Sequence, residues 1–399
     1  MVAVLIAGGG TGGHVFPMVA VGAALCAERP DTEVVYVGTG RGIETAVVPE
    51  QGGRLELLDV LPLRGRGLGG FLKGAMRAAT VLPQARKLVK SLAPDVVFSV
   101  GGYAAGPVTL AARSLGVPVT LLEPNAVPGF TNRLLMPLVA RAYVAFPEMA
   151  EGRPADQVRW TGVPLRNRFV PAPYQPSERV NVLVMGGSQG ALALNEALPE
   201  ALAACLRDGL PVEVFHQTGR DKDAEVRARY AELGITDHVE IASFVDDVAG
   251  ALGRADVVIE RSGASSVAEL CAVGRPGILV PYPHAADDHQ RHNAESLERA
   301  GGAVCVVQSE ASGERLEAEL RRLIEDRALR AEMAARSADF GRPDAARAIA
   351  VDLFELASSG AADSRRSPSV DPTRTDPSSD SHQRAGVAMA CQSTGEVPS

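Results

Sequence analysis

The sequence predicts an α/β fold: two Rossmann-like, doubly wound domains facing a cleft, followed by a disordered C-terminal tail. Three observations carry this. Short apolar runs alternate with helix-like segments along most of the chain. One strand–glycine turn–helix design occurs twice, at VAVLIAGGGTGGH from Val2 and at NVLVMGGSQGA from Asn181, a domain length apart. From Ser358 the composition turns to Ser, Asp, Pro and Arg with almost no large apolar residue, which cannot build a core.

In chain order, VAVLIA (Val2–Ala7) is a buried-strand run ending in glycine, and helical spacing follows from Pro17 to Arg29. EVVYVG (Glu33–Gly38), PDVVFSVGG (Pro94–Gly102) and PVTLLE (Pro118–Glu123) are further strands. Such alternation gives a mostly parallel sheet with helices on both faces. After the restart at Asn181 come PVEVFHQTG, HVEIASFV, ADVVIERSG and RPGILVPYPH, each strand-like. The proline-rich stretch Pro164–Pro176 reads as the linker, giving domains at 1–163 and 164–341 and a tail at 358–399. Ligands of such folds sit at the carboxyl ends of strands, which places the expected site in a cleft between the domains.

Composition excludes several classes. A net charge of −8 argues against a general nucleic-acid binder. The five cysteines (Cys26, Cys205, Cys271, Cys305, Cys391) include no C-x-x-C pair, against zinc or a disulfide framework. No basic-then-apolar signal segment and no apolar run of about 20 residues is visible.

Gly8-x-Gly10-x-x-Gly13 fits the dinucleotide fingerprint letter for letter, but an NAD site wants an acid at the end of the second strand. That end carries Gly38, Thr39 and Gly40, and Asp31 and Glu33 lie at the other end. No G-x-x-x-x-G-K-[ST] occurs either. What remains is a loop whose backbone can approach an anion closely ahead of a helix N-terminus. His14 is the only Asp, Glu, His, Lys or Arg before Glu28. A helix N-terminus keeps its ring neutral, which suits a general base. ERSGASSVAELCAVGRP (Glu260–Pro276) is a second helix start, with Ser262, Gly263 and Ser265 as cap-type residues. Glu269, one turn in, could take the two hydroxyls of a ribose. His284, His289 and His292 do not have zinc spacing, and the D-x-D at Asp221–Asp223 sits in a charged, helix-like segment. No metal site is expected.

GGGTGGHVFP, SVGGYAAGP, GVPLR, MGGSQGA, FVDD, RSGASSVAEL and DDHQRHNA occur in this order. As a set they resemble the MurG family of bacterial cell-wall glycosyltransferases, over roughly Val2 to Ala357. The resemblance implies the two-domain GT-B fold, with a last helix within 342–357 crossing back to the first domain. It implies inverting transfer of N-acetylglucosamine from UDP-N-acetylglucosamine to the C4 hydroxyl of lipid I, making lipid II. Thr11, Gly12, Gly13 and His14 would face the sugar and acceptor, and Glu123 joins His14 among the catalytic candidates. Asn125 would contact the donor sugar, Arg166 and Ser188 the diphosphate, and Val245 the uracil edge through its backbone. Ala264, Ser265, Ser266, Val267, Ala268 and Glu269 would cradle phosphate and ribose, and Gln290, with His289 beside it, the sugar hydroxyls. Gly101, Gly102 and Tyr103 would line the acceptor side. One departure is Pro124, where many members carry glutamine. No cofactor is obligatory, though a divalent cation can assist. The implied partners are UDP-N-acetylglucosamine, lipid I, an anionic membrane surface and proteins of cell-wall synthesis and division. The implied location is the cytoplasmic face of the plasma membrane, peripheral.

One membrane signal needs no family knowledge. Val60–Pro94 carries seven basic residues, Arg64, Arg66, Lys73 and Arg77 among them, and no acid. Phe71, Leu72 and other apolar residues are interleaved. Basic groups beside apolar ones suit an anionic membrane interface. The rival readings are another UDP-sugar enzyme of this fold, such as a UDP-N-acetylglucosamine 2-epimerase, an NAD-linked oxidoreductase, and a non-catalytic UDP-sugar-binding protein.

Overall fold

The structure, a computed structural model, describes residues 1–60, 81–102, 104–187 and 189–364. Its chain divides into two compact units. The first comprises residues 1–122 and 134–142 with the chain from Arg347, and the second residues 123–133 and 143–346.

The first unit is built on β1 (Ala3–Ala7), α1 (Gly12–Glu28), β2 (Glu33–Gly38), α2 (Glu44–Glu50), β3 (Arg54–Leu57), α3 (81–92), β4 (Val96–Ser99), α4 (Ala105–Ser114) and β5 (Val119–Glu123). Next in the chain come α5 (Phe130–Leu135), β6 (Arg141–Val144) and β7 (Val158–Trp160), of which β7 falls within the residues of the second unit. The seven strands form one sheet in the order β3-β2-β1-β4-β5-β6-β7. β1 lies parallel between β2 and β4, with Ala7 opposite Val37 and Ser99. The strands are Val- and Leu-rich because both faces are covered. Leu5, Ala7, Val35, Val37 and Val97 pack with Val108 and Ala112 of α4 and with Ala85 and Val89 of α3. Gly22 is where α1 crosses β2, since a Cβ there would lie 1.8 Å from the Tyr36 hydroxyl.

The second unit repeats the plan. It runs β8 (Val180–Met185), α6 (Leu192–Arg207), β9 (Val212–Gln217), α7 (Asp223–Glu232), β10 (Val239–Ala242), α8 (Val248–Arg254), β11 (Val257–Glu260) and α9 (Ala264–Val273). It continues with β12 (Gly277–Leu279), α10 (His289–Arg299), β13 (Ala303–Cys305), α11 (Gly313–Glu325) and α12 (Arg327–Phe340). The sheet order β10-β9-β8-β11-β12-β13 has the same 3-2-1-4-5-6 winding as the first six strands of the other sheet. Both faces carry a core. Val182, Val184, Val257 and Ile259 pack under α6 and α11. Leu183, Met185, Val258 and Leu279 pack under α8 and α9.

Two boundaries differ from the sequence reading. α1 begins at Gly12, not Pro17, and Pro17 lies inside it. The missing proline N–H costs one bond, to the Gly13 carbonyl, and the buried face from Val15 to Leu25 carries the helix through it. The last helix, α13 (Ala345–Ser364), runs past the expected tail boundary at 358. Its end is rich in alanine, the best helix former. Ser358 and Ser359 donate their hydroxyls to the carbonyls of Phe354 and Glu355 at 2.8 and 2.9 Å, so a polar composition did not end the helix. Residues 365–399 of the expected disordered tail lie outside the described residues.

Candidate active site

In the first unit the β1–α1 loop carries Gly9 and Gly10 at φ +140° and +96°. Thr11 caps α1 in an extended conformation, and its carbonyl accepts the N–H of His14 and Val15. His14 is therefore the third helical residue, with its Nδ1 3.5 Å from the Thr11 hydroxyl. The first turn of α1 holds no acid of its own. The β4–α4 loop lies against this one. Gly101 and Gly102 have φ +97° and +86°, and a Cβ on Gly102 would fall 2.5 Å from the Gly9 carbonyl oxygen. Tyr103 lies outside the described residues.

An acid does reach the end of β2, contrary to the sequence reading. It is Glu44, the first residue of α2, and it is fully buried. Its Oε2 accepts the Gly10 N–H at 2.9 Å, and its Oε1 accepts the Thr39 N–H and hydroxyl, each at 2.9 Å. Burial alone would raise this carboxyl, but the backbone N–H groups of Gly10 and Thr39 and the Thr39 hydroxyl hold it below the usual range. The signal was present, because Glu44 is the one acid between Glu33 and Glu50.

In the second unit the β8–α6 loop has Gly187 and Gly190 at φ +76° and +69°. Ser188 lies outside the described residues. Gln217, the last residue of β9, accepts the Gly186 N–H at 3.1 Å. Across the sheet switch point, α9 starts at Ala264 after Gly263. Ser262 does not cap it, because its hydroxyl donates to the Gln290 carbonyl at 2.7 Å. The N–H groups of Ala264, Ser265 and Ser266 thus precede the first intrahelical bond, from Val267 to the Gly263 carbonyl. Ala268 and Glu269 follow on a half-buried face. Burial pushes the Glu269 carboxyl up to about 7, against the opposing pull of Arg166 and Arg168. Arg166 is half-buried and within electrostatic reach of Glu269. Val245 lies half-buried after β10, next to Asp246, whose carbonyl accepts Arg168 Nη1 at 3.3 Å.

Gln290 is held by its own amide, its Oε1 accepting the Tyr282 N–H at 3.0 Å. His289 Nδ1 lies 2.7 Å from the Ala286 carbonyl. A buried residue missed from sequence, Asn293, ties three segments together. Its Oδ1 accepts the Ala126 N–H at 2.8 Å, and its Nδ2 donates to Ser262 O at 3.1 Å and Asn125 Oδ1 at 3.3 Å. Its position in DDHQRHNA was its only mark. Glu123, expected among the catalytic residues, is 1% exposed. It accepts the N–H groups of Asn125 and Gly129 and the amides of Asn125 and Asn132. With both oxygens so engaged, it fixes the loop that carries Asn125. Among the described residues, no three His, Cys, Asp or Glu side chains are grouped to hold a metal ion. Among the same residues, no helix is long and apolar enough to cross a membrane. The membrane-contact candidates Arg64, Arg66, Phe71, Leu72, Lys73 and Arg77 lie outside the described residues.

The arrangement matches known proteins along its length. The model of the glycosyltransferase family 28 N-terminal domain matches residues 4–144, and that of its C-terminal domain residues 181–349. A UDP-N-acetylglucosamine–N-acetylmuramyl-(pentapeptide) pyrophosphoryl-undecaprenol N-acetylglucosamine transferase of Sorangium cellulosum is 60% identical over 360 residues, covering 90% of this chain and 89% of that one. The Myxococcus xanthus protein of the same name is 40% identical, covering 89% and 94%. The crystal structure of Acinetobacter baumannii MurG superposes with a TM-score of 0.75 at 32% identity, covering 89% of this chain and 100% of that one. On this similarity, running through both units, the chain belongs to the MurG family of family 28 glycosyltransferases.

Proposed function

We infer that this enzyme transfers N-acetylglucosamine from UDP-N-acetylglucosamine to undecaprenyl-pyrophosphoryl-N-acetylmuramoyl-pentapeptide, giving lipid II. The observation that carries it is 60% identity, over nine-tenths of the chain, to a transferase of that name. The C4 hydroxyl oxygen of the acceptor attacks the anomeric carbon, and the bond from that carbon to the β-phosphate oxygen breaks. The electron pair leaves with UDP, and the hydroxyl proton passes to His14. In the tautomer with the proton on Nδ1, which lies 3.5 Å from the Thr11 hydroxyl, the basic nitrogen is Nε2. Arg166 and the N–H groups opening α9 stabilise the departing diphosphate, Glu269 takes the ribose hydroxyls, and Gln290 presents its amide nitrogen to the sugar. Val245 holds the uracil edge, Gly101 and Gly102 face the acceptor, and Glu123 and Asn293 position Asn125. The step as written needs no metal. The basic, apolar segment 60–94 supports a peripheral contact with the cytoplasmic membrane surface, where the lipid acceptor resides and where cell-wall and division proteins would meet the enzyme.

Incubation with labelled UDP-N-acetylglucosamine should give lipid-linked product only when lipid I is added. Free epimerised sugar would redirect the reading to an epimerase. His14→Ala should lower kcat by about 10²–10⁴-fold while UDP affinity stays the same, and undiminished turnover would remove His14 from the chemistry.

A further inference from the structure

The two units treat their equivalent glycine loops differently. Each loop follows the strand that comes first in chain order in its sheet, and each gives an N–H to a side chain at or just past the carboxyl end of the neighbouring strand. In the first unit that side chain is the Glu44 carboxylate. It fills the hollow of the loop so closely that a Cβ on Gly9 would lie 2.5 Å from its Oε1 and one on Gly42 1.9 Å from its Oε2. In the second unit it is the neutral amide of Gln217. The amide orientation is fixed, because Nε2 donates to the carbonyls of Gly187 and Ser243 at 3.0 and 3.1 Å, which leaves Oε1 for the Gly186 N–H.

We propose that Gln217 and Glu44 determine which glycine loop accepts a nucleotide diphosphate: the neutral amide leaves the second loop open to a ligand anion, and the carboxylate makes the first loop an occupied one. A carboxylate beside a diphosphate is a like-charge contact, whereas an amide is not. Glu44 thereby also acts as a positioning residue, since the loop it grips leads directly into the turn bearing His14. The proposal rests on the reading that the second unit binds the donor, and it adds the residue that excludes the first unit from that role.

The test is calorimetry with UDP and with uridine at pH 8. Gln217→Met loses the same hydrogen bonds as Gln217→Glu without gaining a charge. Gln217→Glu should bind UDP at least about tenfold more weakly than Gln217→Met, with uridine bound alike by both. Gly187→Asp against Gly187→Asn repeats the comparison at an open, left-handed position that both residues tolerate, in case the first pair does not fold. The same UDP deficit of the acidic variant is expected there. Glu44→Gln should leave UDP affinity at the second loop unchanged, lower kcat, and admit a second, weaker UDP that the wild-type protein does not bind; a single UDP per chain in this variant would remove Glu44 from the proposal. Equal UDP affinities within both acid–neutral pairs, or a parallel loss of uridine, would overturn the proposal. So would a loss of UDP affinity in Glu44→Gln matching that of Gln217→Glu. A wild-type protein that binds no UDP at all would instead remove the donor-site reading beneath it.

Discussion

At the residue scale, the proposed donor site turns on a carboxyl that its surroundings make hard to ionise. Burial raises Glu269 to about 7 against the pull of Arg166 and Arg168, and the charge of Glu269 adds to the burial that holds Glu260, on the preceding strand, well above the ordinary carboxyl range. A carboxyl raised in the folded state keeps a proton that the unfolded chain has lost. It therefore lowers stability progressively as pH climbs from the ordinary carboxyl range to about 7, and the loss is complete above that. Under the proposed role of Glu269 binding runs the other way, because ribose hydroxyls would donate to the ionised form. UDP-N-acetylglucosamine, whose diphosphate does not titrate in this range, should bind about tenfold more tightly at pH 8 than at pH 6. Glu269→Gln should flatten that profile, and a wild-type affinity that does not change with pH would place the ribose elsewhere. Glu269 was legible because it sits one turn into a helix after a strand and a serine–glycine turn. Glu44 was marked only as the one acid between Glu33 and Glu50, and Gln217 carried no mark at all, because its partners are backbone groups of loops far from it in sequence. A pattern of residue types does not show where a loop N–H will point.

At the element scale, neither the start of α1 nor the entry to α10 could be read from residue pattern, although helical spacing was plain from Pro17 to Arg29. Periodicity reports a buried face, and the end of a helix is decided by caps and local strain instead. The entry to α10 is the clearest case. Asp287 and Asp288 are both left-handed, at φ +51° and +52°. The Asp288 side chain makes no capping bond. Two successive non-glycine residues in this region cost about 1 kcal/mol or more each. They sit immediately before His289 and Gln290, so the strain is held at the turn that aims the amide proposed to meet the sugar. Asp288→Gly and Asp288→Ala both remove the carboxylate, and only alanine keeps the strained Cβ. The glycine variant should melt higher, by about 1 kcal/mol, reversing the usual order of these residues in a helix. The alanine variant should also show the larger rise in KM for UDP-N-acetylglucosamine. Equal melting temperatures would mean that the turn relaxes when the aspartate is lost.

At the scale of the whole molecule, the duplicated winding and its two glycine loops were legible because repetition of strand–turn–helix survives in composition alone. The uneven distribution of charge was equally plain in the sequence. Residues 60–94 carry seven cations and no acid, which leaves −15 on the rest of a chain whose net charge is −8. An anionic bilayer repels that remainder, so adsorption requires the segment to face the lipid and the acidic surface to face away. Each basic group near such a surface contributes about 1 kcal/mol, screened over about 10 Å at 0.1 M salt. The interleaved Leu, Phe and Met residues add an apolar component that salt does not screen. The enzyme should therefore sediment with phosphatidylglycerol vesicles and not with phosphatidylcholine vesicles. Raising the salt to 0.5 M should release most of the bound protein but not all of it. Charge reversal at Arg64, Arg66, Lys73 and Arg77 should abolish the binding and lower turnover of lipid I, while UDP affinity holds. Vesicle binding that survives the reversal would move the membrane contact to another face.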